Sequence, residues 1–392
     1  MNDDIKGYTT PSGKKRYKFT IYLGRDEHTG RPRQVRKQGY KTLKEAKKDF
    51  LQIQVQIANG DFSLEKQRHL KFKEVYEKWL EVYSNTVKES TLATTIRMIE
   101  GHVLPDLGKY YIDKINMLDC QKAVNKWFEI APRTYKKYLR YANKIFHYAM
   151  HLELIDSSPM DKVIRPRVKP KQRYINFYNR DDLQIYLDNA KKQSNEAYTL
   201  FYVLAYTGLR CGEALALEWQ DIDFLNATLK VERTLSTGLK NRLLLQTPKT
   251  IDSKRIIGLT QDTIRVLREW QREQLKSSNV ISIGRGSVDE SKFIFNGEVN
   301  NYPANVPLST STVDRWNRLI AKKARLKHIR VHDFRHTHAS LLFDSGASMQ
   351  DVKDRLGHAS IKTTMDVYTH LPKKRKEETL NNFSAYMEHK SL

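Results

Sequence analysis

Hydrophobic and polar positions follow different rhythms along this chain. From Tyr17 to Leu23 the period is two, with Tyr17, Phe19, Ile21 and Leu23 on one side, which predicts a strand. A charged, Gly-containing turn (24–30) and a second strand-like stretch, Gln34 to Tyr40, follow. Thr42 with Glu45 three residues on is a capping-box pattern, and after it Ala46, Phe50, Ile53 and Ile57 recur at helical spacing. The first segment, 1–64, thus predicts a small sheet packed on one helix.

In the second segment, 72–165, the period is helical throughout. Val75, Trp79 and Val82 with Tyr83 form one stripe. Ser90 or Thr91 opens a helix carrying Leu92, Ile96 and Ile99, and two more cover 118–128 and 134–150. Residues 166–173, Pro-Arg-Val-Lys-Pro-Lys-Gln-Arg, hold two prolines that keep the backbone extended, and read as a basic linker. The third segment, 174–392, mixes rhythms. Helices are expected over Arg180–Ala190 and Glu196–Tyr206. Strand-like pieces follow over Ile222–Glu232 and Leu243–Ile257, with a turn at Thr237-Gly238, and helices then run to the tail. The fold class expected is a multidomain chain, mainly α with small β elements.

Composition narrows the partner. There are 69 Lys and Arg against 45 Asp and Glu, a formal net charge of +24. Self-repulsion on that scale calls for a polyanion, and nucleic acid is the first candidate. The basic residues are spread along the chain rather than gathered on one amphipathic helix, and no apolar run approaches a membrane span, so a membrane partner is not expected. The polar start, Met-Asn-Asp-Asp, does not read as a secretory signal, and two distant cysteines, Cys120 and Cys211, suit a reducing cytoplasm.

Two regions are candidate DNA contacts. Residues 1–60 hold 14 Lys and Arg against 6 Asp and Glu, a net of +8, with Arg31, Arg33, Arg36 and Lys37 on or beside the second strand. A two-stranded ribbon can enter the major groove; a merely solvated basic surface is the alternative. In the helix over 134–150, Lys136, Lys137, Arg140 and Lys144 interleave with Tyr135, Tyr138, Tyr141 and Phe146. The aromatics suit a packed face and the cations a phosphate-facing one.

Four strings in the third segment carry chemistry. They are Thr207-Gly208-Leu209-Arg210-Cys211-Gly212-Glu213; Thr247-Pro248-Lys249-Thr250; His332-Asp333-Phe334-Arg335-His336; and Leu356-Gly357-His358 followed by Tyr368-Thr369-His370. Arg335 and His358 stand 23 residues apart, and His358 and Tyr368 stand 10 apart. This ordered set resembles the tyrosine recombinase (phage integrase) family, with its Arg, Lys, His-x-x-Arg, His and Tyr. The resemblance is close over the third segment. Over the first two it is looser, and they look like arm-binding and core-binding domains.

The resemblance implies a division of labour that the residue types suit. Tyr368 would be the nucleophile on the scissile phosphate. A free phenol is ionised about one part in a thousand at neutral pH, a deficit of roughly 4 kcal/mol, so neighbouring cations or a base must help. Arg210 and Arg335 would clamp the non-bridging oxygens with planar forks that lysine does not match. Lys249, expected at the tip of a Leu243–Ile257 hairpin, would protonate the 5′ leaving oxygen. His332 and His358 would assist proton transfer and hydrogen-bond the phosphate, and Glu213 would buttress Arg210. No metal or other cofactor is expected: His332, His336 and His338 lie close in sequence, but no His-Glu-x-x-His string accompanies them, and no Gly-x-x-x-x-Gly-Lys-Ser/Thr string calls for ATP.

As partners, the resemblance implies double-stranded DNA at core-type and arm-type sites and a homotetramer on DNA from a free monomer. An excisionase and a host DNA-bending protein are further candidate partners. The tail, with Leu380, Phe383, Tyr386 and Met387 at helical spacing after Lys373, Lys374, Arg375 and Lys376, would dock on a neighbouring protomer or back on its own domain. Two rival functions share these features: a DNA-binding regulator without catalysis, and a type IB topoisomerase.

Overall fold

The computed structural model describes residues 4–11, 13–25, 30–59, 69–168, 176–247, 254–285, 292–297, 306–357 and 360–368, with 384 and 387. The chain divides into two compact units, one of Met1–Thr86 and Thr95–Val168, the other of Val87–Thr94 and Lys169–Leu392.

The first unit begins with three antiparallel strands in the order β1 (Ile5–Thr9), β2 (Lys15–Arg25), β3 (Pro32–Tyr40), followed by α1 (Leu43–Ala58). Thr42 caps α1 as its spacing with Glu45 indicates, each side chain accepting the other residue's backbone N–H. Phe19, Phe50 and Ile53 are buried between sheet and helix, with Ile5, Ile21, Val35, Tyr40 and Ile57 packed around them. The alternation read in β2 is therefore the inside–outside alternation of the sheet. β1 lies outside the strands that the alternation predicts: Gly7 and the short apolar content of Ile5–Thr9 hide a strand whose pairing with β2 is what orders it.

The rest of this unit is helical: α2 (Phe72–Ser84), the part of α3 (Glu89–Met98) from Thr95 onward, a π-helical turn (Ile99–Val103), α4 (Leu104–Leu107), α5 (Met117–Ile130) and α6 (Tyr135–His151). Val75 and Trp79 are buried as expected, but Val82 is 54% exposed. The centre holds Phe72, Trp127, Tyr135 and Phe146, and the Trp127 indole donates to Asp106 at 2.7 Å. The helix expected from Ser90 or Thr91 begins at Glu89 and gives way to the π turn after Met98, in a stretch that contains Gly101.

The second unit contains α7 (Arg180–Gln193), α8 (Asn195–Thr207), α9 (Cys211–Leu215), β4 (Ile222–Asp223), β5 (Thr228–Val231), β6 (Thr234–Thr237), β7 (Leu243–Gln246) and β8 (Arg255–Gly258). It continues through α10 (Gln261–Arg285), α11 (Thr310–Lys323), α12 (Asp333–Asp344), α13 (Met349–Leu356) and α14 (Ile361–Tyr368). α8 is apolar nearly all round and is correspondingly buried. Tyr186, Phe201 and Phe334 meet at its centre, with ring centroids 5.0–5.2 Å apart. The expected Leu243–Ile257 hairpin is not formed. β7 pairs with β6, across the turn after Thr237, while β8 pairs with β5 in the order β4-β5-β8. Apolar residues at both ends looked like one hairpin, but each strand finds its partner upstream. No described helix is long and apolar enough to cross a membrane.

Candidate active site

The site is built where three chain reversals meet. α8 ends at Gly208, whose φ of +69° stops the helix. A Cβ there would lie 2.5 Å from Leu356 and 2.6 Å from His338, so this position needs glycine for its conformation and for space. Two residues on, Arg210 caps α9 in extended conformation, and its backbone N–H donates to Glu213 Oε2 at 3.0 Å. α12 starts after His332 and places Arg335 in its first turn, while α13 ends at Gly357, with φ +65°.

Arg335 is 2% exposed. Its Nη1 donates to Gly208 O at 2.9 Å and its Nη2 to Leu356 O at 2.6 Å, so two helix-end carbonyls fix the plane of the guanidinium. Burial, and secondly the charge of Arg210, push it down to about 9. Arg210 is partly open to solvent; its Nη1 donates to Glu213 Oε1 at 2.6 Å and its Nη2 reaches Gly357 O at 3.5 Å, the long end of a hydrogen bond. The Glu213 carboxylate is buried and also accepts from Arg255 Nη2 at 3.0 Å. Burial works to raise its pKa, but Arg255 and Arg210 outweigh burial and hold it below the usual carboxylate range. His332 is pushed down to about 4 by burial, then by His336 and Arg335. His332 is also exposed, so solvent screening tempers that push.

Two guanidinium groups thus stand close enough to repel, with a neutral imidazole beside them. An oxyanion between them would relieve that repulsion and accept from both forks, as a tetrahedral phosphate can. Among the described residues no three of His, Cys, Asp or Glu converge as metal ligands.

Of the residues singled out in the sequence, the structure brings together Arg210, Glu213, His332 and Arg335. Lys249 and His358 lie outside the described residues, as does the Tyr368 side chain; the Tyr368 backbone is the last residue of α14. The tail stripe lies outside them too, apart from the exposed Met387. Sequence reasoning missed Arg255 and Arg355 and considered His338 only in weighing a metal site. His338 lies buried between Ala205 O, 2.8 Å from Nδ1, and the Arg355 Nε–H, which donates to Nε2 at 3.0 Å. Burial, and then Arg355, push it down to about 3. These contacts join a side chain to a distant backbone or ring, and no spacing in the sequence signals them.

The two basic regions sort differently. On β3, Lys37 turns toward α1 and pairs with Asp49 at 3.0 Å, so it is not on the open face of the sheet. Register puts Arg36 there, opposite Thr20, with Lys18 opposite Gln38, Tyr22 opposite Gln34 and Lys6 opposite Lys18. Arg33 shares the parity of Lys37, and Arg31 precedes the strand. On α6, Lys136, Arg140 and Lys144 share one groove of about 510 Å³ with His147, His151 and Arg165, and Lys137 does not line it. Stacked Trp79 and Tyr83, 4.4 Å apart, line the same groove, and the Lys144 ammonium sits over Tyr83 at 5.3 Å.

Solved integrase structures share this fold. The chain superposes on the Tn1549 transposon integrase in complex with a circular intermediate DNA with a TM-score of 0.61, at 18% identity, over 80% of this chain and 99% of that one. It superposes on the lambda integrase tetramer bound to a Holliday junction with a TM-score of 0.56, at 15% identity, over 93% and 94%. Residues 176–375 match the phage integrase family, and the chain belongs to it: it is a member of the tyrosine recombinases, enzymes that break and rejoin DNA. Residues 71–128 match the SAM-like N-terminal domain of phage integrases, and residues 8–57 an arm DNA-binding domain.

The ICEBs1 integrase of Bacillus subtilis is 35% identical over 238 residues, which is 60% of this chain and 61% of that protein, less than two thirds of its length. A XerC-like tyrosine recombinase of Caldanaerobacter subterraneus is 27% identical over 95% of this chain and 97% of its own.

Proposed function

We propose that this chain is a site-specific recombinase that integrates and excises a mobile element, using Tyr368 as nucleophile. The observation that carries the reading is the pairing of Arg210 and Arg335, two neighbouring guanidiniums, the first held by Glu213 and the second by helix-end carbonyls. The phenol oxygen of Tyr368 attacks phosphorus and the bond to the 5′ oxygen breaks. Lys249 supplies the proton to that oxygen, and the product is a 3′-phosphotyrosine. Attack by the 5′-hydroxyl of another strand reverses the step, so the bond energy is kept and neither ATP nor a metal ion is used. His332, entering the cycle neutral, takes the phenol proton of Tyr368 as the oxygen attacks, and His358 hydrogen-bonds the phosphate.

The reading divides the chain into an arm-binding part (1–64), a core-binding part (72–165), a linker (166–173) and a catalytic part (174–392). The open face of β1–β3, with Lys18, Arg36 and Tyr22, takes arm-type DNA, and the α6 groove takes core-type DNA. Four protomers assemble on the DNA in the cytoplasm of a bacterial host, and an excisionase and a host bending protein set direction.

The test is covalent trapping. A nicked duplex carrying the joined ends of the encoding element is incubated with wild type and with Tyr368→Phe in EDTA. A denaturant-resistant protein–DNA adduct with wild type alone is the expected result. Tight binding without an adduct would return the reading to a DNA-binding regulator. Relaxation of supercoiled DNA without exchange between two sites would favour a topoisomerase, and an adduct in the phenylalanine variant would displace Tyr368.

A further inference from the structure

The last turn of α13 makes an unusual set of contacts. Its final carbonyls, on the consecutive residues Arg355, Leu356 and Gly357, each face a different arginine. Arg255 Nε donates to Arg355 O at 3.0 Å, Arg335 Nη2 to Leu356 O at 2.6 Å, and Arg210 Nη2 reaches Gly357 O at 3.5 Å. The last carbonyls of a helix lack intrahelical partners and carry the negative end of the helix dipole, so cations gather there naturally. Here the cations are the two arginines of the candidate clamp and a third that the reaction scheme above does not use.

Arg255 differs from the other two. Its side chain is 7% exposed, so it lies under the site rather than in its opening. It uses two different nitrogens at once: Nε holds α13, while Nη2 holds Glu213 at 3.0 Å. Glu213 in turn holds Arg210 through both its side chain and its backbone N–H. One guanidinium therefore ties the carboxylate that orients Arg210 to the helix end that orients Arg335. The chain leaves that same helix end through Gly357 into His358.

We infer that Arg255 is a positioning residue for strand cleavage, coupling the Glu213–Arg210 pair to the C-terminal turn of α13 so that both clamp arginines take their places together. Arg255 lies on β8, and the chain segment between β7 and β8 carries Lys249. The residue thus anchors one end of the segment that supplies the proposed acid, in the same bond set that orients the clamp. A lysine would keep the charge next to Glu213, but its single ammonium does not reproduce the fork that spans a carboxylate and a carbonyl.

The proposal rests on the recombinase reading, and the experiment separates the two. Single-turnover adduct formation on the nicked duplex, at saturating protein, is measured for wild type, Arg255→Lys and Arg255→Gln between roughly pH 6 and pH 8, with DNA affinity measured in parallel. Both variants are expected to bind DNA as wild type does and to form the adduct roughly ten- to a hundredfold more slowly, the scale of a small misplacement of reacting groups. In Arg255→Gln the buried Glu213 loses its strongest cationic partner, so its carboxyl rises and takes up a proton sooner as pH falls. The deficit of that variant should widen toward the acid end, while that of Arg255→Lys should not. A residue that only held the fold together would lower the rate by one factor at every pH. Wild-type rates in Arg255→Lys, or a glutamine deficit that is constant with pH, would overturn the proposal. If Arg255→Gln does not fold, the lysine variant still decides. Absence of an adduct with wild type itself would remove the recombinase reading, and this one with it.

Discussion

Arg335 on α12 and Arg140 on α6 carry the same side chain, yet one is 2% exposed and tied to two carbonyls while the other stands at the rim of an open groove. Around Arg335 the surroundings are as fixed as the residue: Gly208 has no room for a Cβ, Glu213 is buried, and His338 is held from both sides. Along α6, Lys136, Arg140 and Lys144 are exposed and follow one another at four-residue steps, with a stacked Trp79–Tyr83 pair in the same groove. Fixed cations suit a demand for geometry, as in stabilising one arrangement of charge around phosphorus. Exposed cations suit a demand for neutralisation, where any phosphate within reach will serve.

The sharpest way to break this contrast is at the fixed end. Arg335→Lys keeps the charge but loses the fork across Gly208 O and Leu356 O, and adduct formation should fall by roughly 10²–10³-fold with DNA affinity little changed. Single-turnover trapping measures it, and an equally active lysine variant would mean that charge alone suffices at this position.

The second effect is on stability and concerns His338. Its folded pKa, about 3, lies below the ordinary 6.5, so between those values the unfolded chain binds a proton that the folded chain refuses. Stability therefore falls as pH drops from about 6.5 toward 3, with a slope approaching 1.4 kcal/mol per pH unit for this one group, at the order-of-magnitude level. Urea unfolding at several pH values should show that slope, and His338→Gln should flatten it; an unchanged slope would place the acid sensitivity elsewhere.

The smallest effect is at the exposed end. Each of Lys136→Ala, Arg140→Ala and Lys144→Ala should reduce the salt dependence of DNA binding by about 0.9 in the log–log slope, and the triple change by about 2.7, three times that value. The rate of adduct formation at saturating DNA should stay as it was. A single substitution that abolished cleavage while sparing the slope would make that residue one of the fixed kind.

Local signals carried much of this. The Thr42–Glu45 cap, the two-residue period that buries Phe19 and the apolar run of α8 are short-range features, and each forms where its pattern lies. Arg210, Glu213, His332 and Arg335 were legible because their order along the chain is itself a signature. What failed depended on distant partners. β1 is a strand because β2 lies beside it, and the strands flanking Lys249 join different sheets because β5 and β6 were there to receive them. Lys37 read as an outward cation until its register set it against Asp49. Arg255 was invisible for the same reason: its meaning lies in two bonds to residues 42 and 100 positions away.

The N-terminal sheet has a consequence of another kind. Its one helix covers one face only, so Phe19, Ile5 and Ile21 hold the domain together while Lys18, Thr20, Tyr22 and Arg36 on the other face take no part in that core. A strand thus lets alternate letters of one sequence answer to separate demands. The outward letters can be rewritten while the inward ones stand, so under the proposed function a lineage carrying this domain would change its DNA address without refolding its reader.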